Sequence, residues 1–286
     1  MTKNAILIVI YNKKLDESKT INTLINFPLK SVRLTLYNNG PQTINDDNPF
    51  LSEIRRKCCS VVLVNCLENK PLSFIYNSFL LENSSASQLI FFDDDSTVTE
   101  SFYSCIENNT SDVELPKIVS TEQNKIYYPI QNKTIITTDK EIYLDEGVVY
   151  SIGSGLIINS RVIDVFKKYG FKLFDENYAF YGVDFSFFRR LNFLVQKGEV
   201  VKVSTTSSII HDLSSTNAIQ SPFRIKERLF DVAISAKRYP SLETYKVFFK
   251  KIIINIMKLK GDYLFLLLKT YFVGIHPKCN SMRVKK

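Results

Sequence analysis

Three consecutive carboxylates directly follow a short apolar run in the stretch LIFFDDDST. Residues 89–92 predict a buried strand, so Asp93, Asp94 and Asp95 come at its carboxyl end, where α/β sheets bind ligands. Adjacent negative charges repel one another, and this placement predicts a cation together with a polyanionic ligand. Side chains one residue apart on an extended chain point to the same side, which would let Asp93 and Asp95 share a divalent ion. A solvated acidic turn is the alternative interpretation.

Other side chains suited to the same chemistry follow later in the chain. Asp184 lies at the predicted start of a helix, whose dipole keeps a carboxylate ionised as a proton acceptor; a simple N-cap is the alternative. His211 follows an apolar run and is a candidate manganese ligand, although a lone histidine is more often a hydrogen-bonded structural residue. Gly153, Ser154 and Gly155 would bring backbone amides close to a phosphate or sugar, or form only a tight turn.

Strands and helices alternate through the first hundred residues. The apolar runs AILIVIY, SVRLTLY, SVVLVN and QLIFF predict strands, and residues 20–27 and 72–81 are compatible with helices. Strands that recur at this spacing, with helices between some of them, predict parallel β-units joined by right-handed crossovers. Residues 96–146 are polar and predict loops with short edge strands. Beyond them, SIGSGLIIN and VVKVS predict strands, and a helix capped at Ser160 is predicted to end before Gly170.

Positive charge is concentrated at the end of the chain. The 286 residues are 45% hydrophobic, which suffices for one large α/β domain or two smaller ones, and the net charge is +8. From Pro222 onward there are 15 Lys and Arg against 4 Asp and Glu. The segment YKVFFKKIIINIMKLK predicts a helix with one apolar and one cationic face, as for a protein lying on an anionic membrane. Alternatively, the apolar face packs on the domain formed by residues 1–221.

Composition also limits the compartment and the class of protein. The five cysteines show no CxxC or metal-like spacing, which predicts a reducing cytoplasm. The apolar start at residues 5–11 fits a buried strand better than a secretory signal, and charges interrupt every stretch long enough to span a bilayer. Nucleic-acid binding is not expected, because the positive charge lies in an apolar helical tail and not along a groove.

In chain order, these motifs resemble the inverting family-2 glycosyltransferases of the GT-A fold, particularly the rhamnosyltransferase-like members that build bacterial O-antigen or capsular polysaccharide. The resemblance spans residues 5–211 and rests on the opening strand, YNNGP, ENKPLSFIYN, FFDDDS, SIGSGLII and YGVDFSFFRRL. Three positions depart from the family pattern. Asn38 stands where an Asp commonly reads the base, Pro71 replaces a Gly, and Val183 replaces the Glu of a common Glu-Asp pair.

The resemblance implies an α/β GT-A fold, with a Rossmann-like mixed central sheet flanked by helices and a basic helical tail. It implies Mn²⁺ or Mg²⁺ bound by Asp93, Asp95 and His211, and Asp184 as the catalytic base. Arg190 would hold the segment of Asp184 or approach the phosphates, and the turn of Gly153, Ser154 and Gly155 would face the acceptor. The residues implied to bind the nucleotide sugar are Tyr11, Asn12, Asn38, Asn69, Asn77, Asp93 and Asp94.

The implied activity is transfer of a sugar, with L-rhamnose the first expectation, from a dTDP- or UDP-linked donor to a lipid-linked oligosaccharide with inversion. The expected location is the inner face of the bacterial cell membrane, with an anionic membrane surface as a partner. The catalytic domain would occupy residues 1–221, with a nucleotide-sugar half at 1–100 and an acceptor half at 101–221, and the membrane-associating tail residues 222–286. A UDP-hexose transferase or a catalytically silent scaffold are the alternatives.

Overall fold

The first strands of the chain lie side by side in parallel and end at one edge of a sheet. The computed structural model describes residues 3–212 and 221–284. These strands are β1 Asn4–Ile10, β2 Leu29–Asn38, β3 Cys58–Asn65 and β4 Gln88–Asp93. β1 pairs with β2 and β4, and β2 pairs with β3. In this register Asn38 lies opposite Ile10 and Asn65. Asp93 lies opposite Val9, so these polar residues share the carboxyl edge.

Shorter strands extend this sheet into a mixed one and form two smaller sheets. They are β5 Ser96–Val98, β6 Val113–Glu114, β7 Lys117–Ser120, β8 Ile126–Tyr128, β9 Ile130–Gln131, β10 Thr134–Ile135, β11 Lys140–Ile142, β12 Val149–Tyr150, β13 Ile157–Asn159, β14 Val203–Thr205 and β15 Ser208–His211. Within the described residues the large sheet has the order β11-β14-β6-β13-β4-β1-β2-β3, and β13 runs antiparallel to both its neighbours. β5, β15, β7 and β8 form a second sheet. The predicted mixed central sheet is confirmed.

Helices pack on both faces of the central sheet because its strands are apolar on both faces. All the α-helices of the described chain, in order, are α1 Lys19–Leu24, α2 Pro49–Lys57, α3 Leu72–Glu82, α4 Glu100–Asn108, α5 Arg161–Lys168, α6 Val183–Gln196, α7 Pro222–Arg238, α8 Leu242–Met257, α9 Gly261–Val273 and α10 Pro277–Val284. Phe91 of β4 packs against Tyr76 and Phe79 of α3, with ring centroids 5.1 and 5.4 Å away. Its neighbour Phe92 points to the opposite face and packs against Phe102 of α4 at 5.2 Å.

Two local predictions were wrong. The polar segment predicted as loops and edge strands contains helix α4, which Thr99 caps by accepting a hydrogen bond from Phe102 N at 3.2 Å. The apolar face of this helix is short, so polar residues around it dominate the composition. Ser160 does not cap α5, because its own backbone is already helical and its side chain makes no capping hydrogen bond. Asn159 Oδ1 instead accepts from Arg161 N at 3.0 Å.

The described residues fall into two compact units. The first comprises residues 3–70, 76–173 and 190–212 and contains the strands. The second comprises residues 71–75, 174–189 and 221–284 and is helical. In the second unit α7, α8 and α9 pack around Leu229, Ala233, Phe248 and Leu267. Among the residues that the structure describes, no helix combines the length and the hydropathy that crossing a bilayer would require.

Candidate active site

The acidic motif forms a turn and not an extended strand. Asp93 is the last residue of β4, and Asp94 and Asp95 make the turn into β5. The prediction that the outer carboxylates approach one another through strand alternation was therefore wrong in its geometry. The turn brings Asp93 and Asp95 together all the same, and it directs Asp94 elsewhere.

Pairing of β5 with β15 brings a histidine to this turn. The two strands run antiparallel, and His211 lies opposite Ser96, the residue after the acidic motif. One ligand atom from each of Asp93, Asp95 and His211 falls within 4.8 Å of the others. His211 Nδ1 lies 3.2 Å from Asp95 Oδ1 and 2.9 Å from Ser96 Oγ. Two carboxylates and one imidazole at this separation form a donor set suited to Mn²⁺.

Buried hydroxyls connect the members of this cluster. Ser154 Oγ accepts a hydrogen bond from Asp93 N at 3.1 Å and lies 2.7 Å from Ser96 Oγ. Ser96 in turn contacts His211, so a chain of hydroxyls joins the backbone of Asp93 to the imidazole. Sequence reasoning did not identify Ser96. Its position immediately after the carboxylates, at the start of a strand, was the available signal.

The start of α1 holds the acidic turn from another side. Thr20 Oγ1 donates to Asp93 O at 2.5 Å and accepts from Ser96 N at 2.9 Å. Ser18, the N-cap of α1, donates from Oγ to Asp94 O at 3.0 Å. These contacts fix the backbone from which the carboxylates project. The sequence shows Ser18 and Thr20 only as a helix start, because their second role depends on tertiary structure.

Asp94, the central carboxylate, is paired with the segment after β1. Lys13 Nζ forms an ion pair with Asp94 Oδ1, and Tyr11 N donates to Asp94 Oδ2 at 3.1 Å. Burial lowers the pKa of Lys13, but the hydrogen bond to Asp94 and the nearby carboxylates hold it above its ordinary value. Tyr11 is half-exposed, and Asn12 adopts a left-handed conformation with φ 55°. Contact of these residues with a nucleotide sugar stays a prediction.

Burial and neighbouring charges shift the pKa values of Asp95 and His211 in this cluster. Burial raises the pKa of Asp95, while the nearby His211 opposes this shift. Burial also lowers the pKa of His211, which favours the neutral imidazole that a metal ligand requires. Asp95 Oδ1 is buried and makes no hydrogen bond within the described residues, because its 3.2 Å contact with His211 Nδ1 lacks hydrogen-bond geometry. A carboxylate oxygen in this state fits a metal ligand, because a divalent ion would satisfy it.

The predicted base-reading asparagine uses its amide within the protein. Asn38 is buried, and its Nδ2 donates to Gln42 O at 2.6 Å and to Asn65 Oδ1 at 2.7 Å. Asn69, in a left-handed conformation, accepts from Asn39 Nδ2 at 3.2 Å. These asparagines shape the loops after β2 and β3. Asn77, also predicted to contact the nucleotide sugar, is buried in the second turn of α3. The structure leaves the nucleotide contacts of all three residues as predictions.

The Gly-Ser-Gly turn is buried and contacts the acidic turn at the carboxyl end of β4 through Ser154. Gly153, Ser154 and Gly155 are all buried. Gly155 has φ +80°, and a Cβ there would lie 2.7 Å from Pro116 Cγ and 2.8 Å from Ile209 Cδ1, so a larger residue would strain the backbone and force these neighbours to shift. This close approach sets the position of the Ser154 hydroxyl. Direct contact of the turn with an acceptor sugar stays a prediction.

Arg190 is buried within the first unit and makes contacts that hold a neighbouring segment. Its Nη1 donates to Lys172 O at 2.6 Å, and its guanidinium lies 5.3 Å from the centre of the Phe171 ring. Holding the segment of Asp184, one of the two roles that the resemblance implied, stays a prediction. An approach to phosphates stays a prediction.

In the second unit, Asp184 lies in the first turn of α6, directly after a glycine turn. Gly182 has φ +79°, and a Cβ there would overlap Asp231 Oδ1 and lie 2.6 Å from Tyr178 Cδ1. Ser235 Oγ donates to Asp231 Oδ1 at 3.0 Å, and burial raises the pKa of Asp231. A packed buried network therefore fixes the turn that introduces Asp184. Sequence reasoning identified Asp184 but neither Asp231 nor Tyr178.

Comparison with known proteins shows the fold. Neither a protein-family model nor a curated protein matches this chain. The chain is similar to a crystal structure of S. aureus TarS residues 1–349 in complex with UDP-GlcNAc, at 13% identity and a TM-score of 0.59. The match covers 98% of this chain and 83% of that one. The UDP complex of the same protein matches at 12% identity and a TM-score of 0.54, covering 99% and 92%.

A further similar structure is that of GalNAc-T7 with UDP, GalNAc and Mn²⁺. It matches at 12% identity with a TM-score of 0.50, and covers 94% of this chain and 54% of that one. At this level of identity the likeness concerns the fold alone. The fold is GT-A.

Proposed function

We propose that this protein is a metal-dependent, inverting glycosyltransferase that uses a nucleoside-diphosphate sugar. The observation that carries the proposal is the cluster of Asp93, Asp95 and His211, with a buried carboxylate oxygen that makes no hydrogen bond in the described structure. The cluster lies at the carboxyl edge of the central sheet, where ligands of such sheets bind. The complexes of TarS with UDP-GlcNAc and of GalNAc-T7 with Mn²⁺ support the same assignment.

The residues of the cluster would hold Mn²⁺ or Mg²⁺. When bound, the ion supplies positive charge that neutralises the departing diphosphate. Ser96 and Ser154 keep His211 and the Asp93 backbone in place, which preorganises the site before the donor arrives. Lys13, paired with Asp94 beside the cluster, would add a further positive charge for a bound diphosphate.

Asp184 is the catalytic base in this proposal. Its carboxylate takes the proton of the acceptor hydroxyl while that oxygen forms a bond to the anomeric carbon. The bond from the anomeric carbon to the diphosphate oxygen breaks on the opposite face, which inverts the configuration. Its position in the first turn of α6 supports this role, because the helix dipole favours the ionised form.

The assignment of the donor sugar, the acceptor and the cellular location rests on the resemblance of the sequence motifs to the family. We infer L-rhamnose as the first donor sugar, carried by dTDP or UDP, and a lipid-linked oligosaccharide as acceptor in bacterial surface polysaccharide synthesis. A UDP-hexose donor is the second candidate, favoured by the likeness to a UDP-GlcNAc complex. In this proposal residues 1–221 form the catalytic domain and residues 222–286 a tail that places it on the inner face of the cell membrane.

Calorimetry with UDP and with dTDP tests the proposal. We expect one of them to bind in the presence of Mn²⁺ and to lose its binding when EDTA is added. A panel of nucleotide sugars, followed by detection of the released nucleotide, then identifies the donor. Equal affinity with Mn²⁺ and with EDTA would contradict the metal assignment, and no binding of either nucleotide would contradict the proposed function.

A further inference from the structure

One side of α8 carries a row of exposed apolar side chains. Phe249, Ile253 and Ile256 are 56%, 56% and 54% exposed, and their spacing of four and three residues places them on one helix face. Leu242, seven residues before Phe249, is 81% exposed and extends the row toward the start of the helix. We refer to these four residues as the α8 ridge. A ridge of this kind on a folded protein indicates an interaction surface.

The ridge is separate from the face that α8 uses for folding. Phe248 and Asn255 are buried on the other side of the helix. The Phe248 ring packs against Tyr271 of α9 at 4.7 Å and belongs to a core cluster with Leu229 and Leu267. One face of α8 therefore packs on α7 and α9, within residues 222–286 themselves. The second apolar face is exposed.

Lysines border the ridge. Lys246 and Lys250 line a shallow cavity of about 530 Å³ together with ridge residues. From Leu242 to Lys260 the sequence has five lysines and a single acidic residue, Glu243. Burial and the positive charges of Arg228, Lys250 and Lys258 lower the pKa of Lys251. The surface thus combines apolar side chains with positive charge.

We propose that the α8 ridge and its bordering lysines bind the surface of an anionic lipid bilayer. The helix would lie in the plane of the interface, with the ridge inserted below the headgroups and the lysines at the level of the phosphates. The lysines would add electrostatic attraction to the apolar insertion. This inference deepens the membrane placement of residues 222–286 in the proposed function and names the surface that makes the contact; lipid binding by this surface does not depend on the sugar-transfer chemistry.

Charge favours a bilayer over a second copy of the chain. A twofold dimer through the ridge would place the same lysines against one another, and the segment contains one carboxylate, Glu243, against five lysines. The centres of protein interfaces are also depleted in lysine. An anionic bilayer supplies hydrocarbon and negative charge over the whole length of α8. The structure therefore favours lipid as the occupant.

A single tryptophan tests the insertion, because the chain contains none. Full-length Phe249→Trp is mixed with vesicles made of equal parts phosphatidylglycerol and phosphatidylcholine. We expect its emission to shift to shorter wavelength and to be quenched by brominated lipid. The control is Val200→Trp, at an exposed apolar residue of the first unit, which should stay in water. Unchanged emission of Phe249→Trp would overturn the proposal.

Charge reversal tests the electrostatic attraction between the bordering lysines and the anionic bilayer. Lys246→Glu combined with Lys250→Glu should weaken vesicle binding at least about tenfold, since each lysine near the surface contributes to the attraction. Reversal of two exposed lysines of the first unit, Lys125 and Lys140, is the matched control and should leave binding unchanged. Equal loss in both double variants would overturn the assignment to α8.

Two measurements distinguish lipid binding from dimerisation through the α8 ridge and from the proposed enzymatic function. Emission of Phe249→Trp that is already shifted without lipid, together with a dimer in sedimentation equilibrium, would assign the ridge to a second copy and overturn lipid binding. Mn²⁺-dependent nucleotide binding should persist in the Lys246 and Lys250 variant. Vesicle binding by a wild-type protein that binds no nucleotide would leave the lipid surface intact and contradict only the proposed enzyme.

Discussion

Asp95 Oδ1 lies 3.2 Å from His211 Nδ1, although the two residues are far apart in the chain. The antiparallel pairing of β5 with β15 produces this contact, because it places His211 opposite the residue that follows Asp95. Burial raises the pKa of Asp95 and lowers that of His211, so each side chain resists carrying its own charge. A divalent cation between them would offset the free-energy cost of burying the ionised carboxylate. Metal binding would therefore stabilise the acidic turn.

The substitution Asp95→Asn should stabilise the metal-free protein and abolish its response to Mn²⁺. The raised folded-state pKa means that ionised Asp95 opposes folding above its ordinary pKa, and a neutral amide removes that cost. We expect the free energy of unfolding at pH 7 to rise by up to about 1 kcal/mol. Thermal denaturation with and without Mn²⁺ measures both effects. Asp164→Asn, at an exposed carboxylate of α5, is the control, and an unchanged Mn²⁺ response in Asp95→Asn would contradict the metal site.

The substitution Ser96→Ala should weaken Mn²⁺ binding about 10- to 100-fold, as expected for a group that orients a metal ligand. Its hydroxyl is buried and contacts both His211 Nδ1 and Ser154 Oγ, so its loss frees the imidazole to rotate. Titration of Mn²⁺ followed by electron paramagnetic resonance gives the affinity. Ser208→Ala removes a comparable hydroxyl from the same sheet away from the cluster and should bind Mn²⁺ normally. If Ser96 has only a structural role, Ser96→Ala would lower the stability of the protein without changing the Mn²⁺ affinity of the molecules that remain folded.

The extent to which sequence predicted this molecule differs between its parts. The parallel strands and their shared edge followed from runs such as that of β1, which is buried along its whole length and apolar in six of seven residues. The carboxylates and His211 were identifiable because their chemical types are rare beside apolar strands. Thr20 and Ser96 were not, and Ser154 was identified only as part of a turn near a phosphate or sugar, because a hydroxyl in the sequence does not reveal its tertiary partner. Helix α4 was missed because its apolar face is short and surrounded by polar residues.

Asp184→Asn should preserve nucleotide binding and reduce sugar transfer at least about 10²-fold, since it keeps the shape of the side chain and removes its basicity. Steady-state transfer at saturating acceptor and calorimetry of nucleotide binding separate the two effects. Asp164→Asn should behave like wild type. Asp175 is not an equivalent base, because its Oδ2 accepts hydrogen bonds from Arg238 Nε at 2.8 Å and Tyr239 Oη at 2.9 Å within the second unit. Full turnover of Asp184→Asn would assign the base to another residue.

Gly182→Ala should destabilise the protein more than Gly170→Ala, although both glycines have a left-handed backbone, with φ +79° and +70°. The strain of that conformation costs each alanine about 1 kcal/mol. At Gly170 nothing lies within 4 Å of the added Cβ, whereas at Gly182 it meets Asp231 and Tyr178, both held in a packed network. Crowding should add about 1 to 3 kcal/mol at Gly182. Urea denaturation gives both free energies, and equal losses would mean that Asp231 moves aside and does not fix the turn before Asp184.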